Sequence, residues 1–417
     1  MSKKLHFRPV ITPWIIWLAF LGVILLGGLI AGILVFWKGL SITHLTDLVP
    51  WGLWITIDLS SIALAAGAFS LCAGVYLFGL KRYQPIARTA TFVGLIGYTM
   101  AMLALVLDIG RPDRFWHALV YWNEHSLLWE VTMCVMLYLT VLVFESMPIF
   151  ANFEWLRKRL PKVAAMMERV HHYAPILAII GLGLSSLHQS SLGATYGVIK
   201  ARPFWFKPEM SVLFMLSAIV GGISLTLFAS MFASGLTGKA KLNDALIERV
   251  AHFVGYLLIG YFYFRAWDAL SVTYTYDPGR SEGLHFLTKG PLVFNFWVVE
   301  LLLGMIVPMI LLLYRPTRIN RFWRMVALLL VAAGVVAFRW DTNITGLLVV
   351  MPYVPGQAIA YTSYRPSLIE IMTGAAIIAY GLAAFSLGVK YLRVVDHSLI
   401  EEEHAKVKVE AAEPVTI

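Results

Sequence analysis

Apolar residues in this chain neither alternate nor follow one helical stripe. They come in long runs broken by short polar segments. Ten such runs can be placed, at about 14–37, 52–79, 88–108, 126–148, 173–195, 209–233, 250–272, 291–313, 322–340 and 367–391. A run of about 20 apolar residues crosses the hydrocarbon core as a helix, which satisfies its own backbone there. The pattern predicts an all-α polytopic membrane protein: about ten transmembrane helices in one membrane domain, 1–395, and a polar tail, 396–417. Most connections are short; the longest, about 341–366, contains Pro352, Pro355, Gly356 and Pro366. The first apolar run, Trp14 to Trp37, is too long for a signal-peptide core and reads as a retained helix.

Composition agrees: 59% of the 417 residues are hydrophobic and 14% charged, against about 25% charged in soluble domains. The net charge of +9 lies between the spans, so it reports membrane orientation and not nucleic-acid binding. Of the 33 Lys and Arg, 22 fall in the N-terminus, alternate connections and the C-terminus, and 10 in the opposite connections. Both termini are therefore expected in the cytoplasm, and the connection after the third span outside, the periplasm of a bacterium. Trp residues crowd the outer half under this topology, which fits a ligand pocket or a docking surface there. The two cysteines, Cys72 and Cys134, lie in apolar runs and form no C-x-x-C. No iron–sulfur ligation, zinc motif or disulfide framework is expected.

The chemistry gathers at Asp108 to Glu130, DIGRPDRFWHALVYWNEHSLLWE, where Arg111, Trp116, His117 and Trp129 also stand. Charges mixed with aromatics beside two spans suit a flat, proton-accepting ligand such as a quinone; an interfacial aromatic belt with solvated charges is the plain alternative. Ionisable residues inside spans cost about 2.5–3.5 kcal/mol each at a helix centre and by default mark function. They are Asp58, Glu130, His188, Arg265, Asp268 and Glu300, with Arg339, Asp341 and Glu370 expected at the boundary and wet. Nearly all fall in the outer half. Arg265 and Asp268, three apart on one helix, can neutralise each other. His188, in LHQSSLG, can serve a ligand or another helix. It is the only histidine well inside a span, so paired haem ligation is not expected. A secondary transporter or channel would use the same charges as a path, but no interrupted mid-membrane helix is evident. A passive membrane anchor would not need groups as deep as Asp58 and His188.

LDIGRPDRFWHAL resembles the Asp-x-Gly-Arg-Pro-x-Arg-Phe-Trp-His stretch of the NrfD/PsrC family, the membrane subunits of polysulfide-reductase-like complexes. PWGLWITIDL (50–59), SLLWEVTMC (126–134) and LHQSSLGATY (187–196), with Arg202-Pro203-Phe204-Trp205, are similar to its ten-span branch. That branch includes the membrane subunits of hydrogenase-2 and of a menaquinone reductase complex; FRWDTN (338–343) and YRPSLIEIMTGAA (364–376) resemble the latter. The resemblance implies two four-helix bundles, 52–195 and 209–340, plus flanking helices. It implies an exchangeable menaquinone near the periplasmic face of the first bundle, with no haem or iron–sulfur cluster on this chain. Implied partners are a periplasmic subunit with four iron–sulfur clusters and a molybdopterin-type or hydrogenase subunit, a multihaem cytochrome c, or both. Carried over, it places Asp58, Asp108, Glu130 and His188 in catalysis, with His117 at the site and Arg111 as a structural or docking contact. Beside it, the residues alone offer Trp54, Trp116 and Trp129 as ring packing, and Glu300, Asp268 and Arg265 on a proton path.

Overall fold

The computed structural model describes residues 12–237, 242–352, 357–392 and 394–395. The expected tail from 396, the first eleven residues, and Pro355 and Gly356 lie outside the described residues. Among the described residues, ten helices are long and apolar enough to cross a membrane: Pro13–Ile42, Leu53–Leu77, Lys81–Asp108, Leu127–Ala151, Pro161–Gly197, Met210–Leu236, Asp244–Tyr274, Asn295–Leu313, Arg321–Leu348 and Leu368–Tyr391. They are called spans one to ten. The protein is an integral, multi-pass, all-α membrane protein, as the run lengths predict.

Local sequence sets several helix starts. Ser126 Oγ accepts from Trp129 N, and Asn243 and Asn320 cap the seventh and ninth spans. Ser367 and Glu370 form a reciprocal capping box on the tenth. Each side chain satisfies a backbone N–H that helix geometry leaves without a partner.

Spans two, three, four and five pack in a ring, and spans six, seven, eight and nine in another. Span six also lies against spans two and five, and span nine against span two. Spans one and ten pair with each other, span ten lying against spans two and three. Small residues permit the close crossings: Gly304 of span eight meets Gly334 of span nine backbone to backbone, and Gly28 meets Ala376.

Three features differ from the sequence expectation. Span two is interrupted: its helix stops at Ala65, resumes at Gly67 and widens to a π-helix over Ala73–Leu77. Gly67 presses on Gly222 of span six, an approach that no Cβ would allow. Span eight is π-helical from Asn295 to Ile306, with Glu300 in its middle. Span nine does not end at Trp340 but runs to Leu348. It places Asp341, Thr342 and Asn343 inside the fold, because tertiary hydrogen bonds replace the water that such a polar run ordinarily seeks. The chain then forms a short antiparallel ladder, Val349 opposite Tyr361.

Candidate functional site

The end of the molecule that carries Asp108 is called the Asp108 end; the opposite end, reached by Glu145, is the Glu145 end. Within the first ring, Asp58 on span two is 3% exposed. It lies close enough to Asp108, at the close of span three, for their charges to interact. Neither Asp58 Oδ1 nor Asp108 Oδ1 has a hydrogen-bond partner among the described residues. A third carboxylate, Glu370, lies within electrostatic reach of Asp108. Glu370 is fully used: it accepts from His44 N at 3.1 Å, from Ser367 N at 2.8 Å and from the Tyr364 hydroxyl. Burial, then that hydrogen bond, raise the Tyr364 phenol above the usual tyrosine range. Tyr364 Oη also accepts from Leu53 N at 2.8 Å, pinning the start of span two.

Below Asp58 a polar line descends the ring. His188 of span five is fully buried, with Nδ1 2.9 Å from the Tyr98 hydroxyl of span three, and Nε2 has no partner among the described residues. Tyr98 also senses the Asp58 charge. Its ring packs edge-on against Tyr138 of span four at 4.8 Å, and the Ser185 hydroxyl lies beside both phenols. Seven residues on from Tyr138, about 10 Å along the same helix face, Glu145 reaches a cavity of about 240 Å³. Arg88, Asn152, Glu168 and His171 share its lining. Ser146, Tyr138 and Gln189 each keep a buried polar atom without a partner among the described residues. Buried polar groups in proteins are ordinarily hydrogen-bonded to protein or ordered water, so a line of such groups is a hydratable path.

The second ring is organised differently. Arg265 binds Glu300 (2.6 and 3.4 Å) and Asp268 (2.6 Å), and Asp268 also binds Lys207. The Arg265–Asp268 pair is thus part of a four-membered network and not a local neutralisation. Burial lowers Lys207, in the connection before span six, below the usual lysine range, and Asp268 opposes that. Arg339 is stacked 3.6 Å above the Phe214 ring and donates to Phe214 O and Ser217 Oγ, each at 3.0 Å. Asp341 accepts from Asn295 Nδ2 at 2.7 Å. Arg339 is 1% exposed, Asp341 and Glu370 0%. The expectation that these three are wet is wrong, because partners distant in sequence desolvate them.

Asn343 joins the rings. Its Oδ1 accepts from the Tyr196 hydroxyl at 3.0 Å, and its Nδ2 donates to Trp51 O at 3.0 Å and to Gly52 O and Thr56 Oγ1, each at 3.3 Å. Tyr196 senses Asp58 and Asp108 on one side and Arg339 on the other.

The other candidates separate. Glu130, half-buried, accepts from Ser191 Oγ at 2.7 Å and belongs to the first ring's wall. Trp54 is buried and donates to Thr373 Oγ1 at 2.8 Å, toward span ten. His117 and Trp116 meet edge-on in the connection, ring centroids 4.3 Å apart, and Trp129 Nε1 donates to Ala118 O at 2.8 Å. Arg111 pairs with Asp113 at the exposed surface, which holds the Asp113 carboxyl below its usual range. Sequence reasoning passed over Tyr98, Tyr138, Glu145, Tyr364 and Asn343. A hydroxyl or carboxylate inside an otherwise apolar run was the available signal for the first three.

The family model described as "Polysulphide reductase, NrfD" matches residues 41–351. The menaquinone reductase integral membrane subunit of Nitratidesulfovibrio vulgaris is 32% identical, over 93% of this chain and 93% of that protein. The probable Ni/Fe-hydrogenase 2 b-type cytochrome subunit of Escherichia coli is 27% identical, over 87% of each chain. The Hdr-like menaquinol oxidoreductase integral membrane subunit of Archaeoglobus fulgidus is 27% identical, over 87% of this chain and 89% of that protein.

Proposed function

The chain belongs to the NrfD polysulphide reductase family, and on that premise we propose that it is the quinone-binding membrane subunit of a respiratory redox complex. The observation that carries the reading is the pair Asp58 and Asp108. Each keeps a buried carboxylate oxygen without a partner among the described residues, and both stand on helices of the ring that holds His188. An isoprenoid quinone, menaquinone by analogy with the named relative, would place its ring there. Asp108 and Asp58 would hydrogen-bond its oxygens and exchange protons with them. A positioned acid–base group of this kind contributes about 10²–10⁴-fold.

The Asp108 end is the periplasmic face of a bacterial inner membrane in this reading. Electrons reach the ring from an iron–sulfur subunit docked on the aromatic connection, where Phe115, Tyr121 and Trp122 are 56, 64 and 70% exposed. That subunit in turn serves a molybdopterin-type, hydrogenase or cytochrome partner. Exposed aromatic surface of this kind marks protein contacts.

Protons for quinone reduction enter from the cytoplasmic side through the first ring. Glu145 takes them at the cavity. Hydration along Tyr138, Ser185, Tyr98 and His188 carries them to Asp58. The proposed path thus avoids Glu300, Asp268 and Arg265, whose charges are bound to one another. The test is turnover of the purified complex with Asp108→Asn and Asp58→Asn. Quinone reduction falls at least 100-fold with the complex intact; near-normal turnover in both variants removes the carboxylates from the chemistry.

A further inference from the structure

Span five is longer than a membrane requires. Its 37 residues amount to about 55 Å of helix, against ~30 Å of hydrocarbon. The 24 residues of Ala174–Gly197 suffice for the crossing. The first nine, Pro161–Arg169, form a helix of their own, set off by a 3₁₀ turn at Val170–Tyr173. This helix lies at the Glu145 end, against span four and against the short helix Glu154–Arg159 that precedes it.

The two faces of Pro161–Arg169 differ. Ala164 is 4% exposed and turns inward, and Glu168 lines the cavity at Glu145. Lys162, Met166 and Arg169 recur at i, i+4 and i+7, so they share the opposite face, and all three are exposed. Trp155 and Leu160, 56 and 46% exposed, add apolar surface beside them. Over 154–169 five basic residues stand against two acidic ones. Arg157 pairs with Glu168 and Lys158 with Glu154, while Arg159, Lys162 and Arg169 have no carboxylate partner among the described residues.

A face that is basic and apolar at once narrows the choice of partner. A free anion or an acidic peptide would meet the charges and leave Met166, Leu160 and Trp155 in water. An anionic phospholipid meets both, its phosphate against the cations and its glycerol and upper chains against the apolar side chains. The neighbouring end of span ten is built alike. Phe153 meets Tyr391 edge-on, ring centroids 6.4 Å apart, and Lys390 Nζ stands 4.5 Å from the centroid of the Trp14 ring. We propose that the 154–169 segment lies in the headgroup layer and is a binding site for anionic phospholipid. A lipid held there braces the helix whose reverse face walls the cavity at Glu145. The inference does not depend on the proposed quinone chemistry.

The test uses the purified full chain, equimolar phosphatidylglycerol and phosphatidylcholine, and native mass spectrometry of the retained lipid. Phosphatidylglycerol is expected to be retained in preference. Arg159→Gln, Lys162→Gln and Arg169→Gln together weaken its binding about a hundredfold, roughly fivefold for each charge removed. Lys81→Gln with Arg82→Gln, exposed at the same end, leaves binding unchanged. The thermal midpoint without phosphatidylglycerol is the same in the triple variant and the parent, which separates lost binding from lost fold. Equal retention of the two lipids, or a triple variant that binds like the parent, overturns the proposal. Displacement of phosphatidylglycerol by inorganic phosphate overturns it too, because the site would then take any small anion. A carbodiimide cross-link from Lys162 to the acidic run 401–403, with no lipid retained, would give the face to the chain's own tail and overturn it as well.

Discussion

The two rings solve the same problem, charge inside a membrane, in opposite ways. In the second ring opposite charges meet: Lys207 and Arg265 hold Asp268 and Glu300, and Arg339 rests on a ring face with two oxygens at 3.0 Å, although its Nε and Nη1 and Asp341 Oδ2 have no partner among the described residues. In the first ring Asp58, Asp108 and His188 each keep an atom without a partner among the described residues, although two of the three are almost wholly buried. Buried charge that is satisfied belongs to structure. A buried carboxylate with no cation against it is left for a ligand or for water, since the bare desolvation is otherwise uncompensated. The difference separates what the protein is built with from what it works with.

Neutralising substitutions break or sharpen this contrast, the largest effect first. Arg265→Met strands Glu300 in the second ring and leaves Asp268 with Lys207 alone, and breaking a buried pair on one side costs about 3–5 kcal/mol. The expected result is a large fall in thermal midpoint or loss of the protein from the membrane; an unchanged midpoint would show that the network is not structural. Asp58→Asn reverses the pattern: turnover falls at least 100-fold while the midpoint holds or rises, because a desolvated, unpartnered carboxylate is gone. Glu145→Gln comes next. Turnover in proteoliposomes slows several-fold and any membrane potential formed in turnover falls with it, whereas Glu300→Gln acts first on stability. Equal potentials for Glu145→Gln and the parent would close the first-ring path. Asp113→Asn is the smallest. Its carboxyl is held low by Arg111, so the pair is complete at neutral pH and is lost only as pH falls through the folded value, below the usual ~3.9 of aspartate. Because both groups are exposed, the midpoint at neutral pH should not move; a clear drop would give this contact a role the geometry does not.

The ten spans were readable because a length of apolar sequence is a local property, and the ends of most spans were readable with them. The end of span nine was not. Arg339, Asp341 and Asn343 look like a boundary in sequence, and only Ser217, Asn295, Tyr196 and Thr56, all far away along the chain, make them interior. Of the candidate site, Asp58, Asp108 and His188 stood out because a charge in an apolar run is conspicuous. Tyr98 did not, since a tyrosine at mid-span reads as apolar filler until its hydroxyl is seen 2.9 Å from His188, 90 positions away. The break in span two was hidden for a similar reason: Gly67 is unremarkable until Gly222 lies against it.

The central claim is that the open carboxylates of the first ring, and not the closed network of the second, receive the quinone. A structure of the complex with a tight-binding naphthoquinone analogue tests it directly. The account predicts the analogue's ring within hydrogen-bonding distance of Asp58 or Asp108, in the half of the membrane nearer the 109–126 connection. A ring seated against Arg265 and Glu300, or at the Glu145 end, would contradict it.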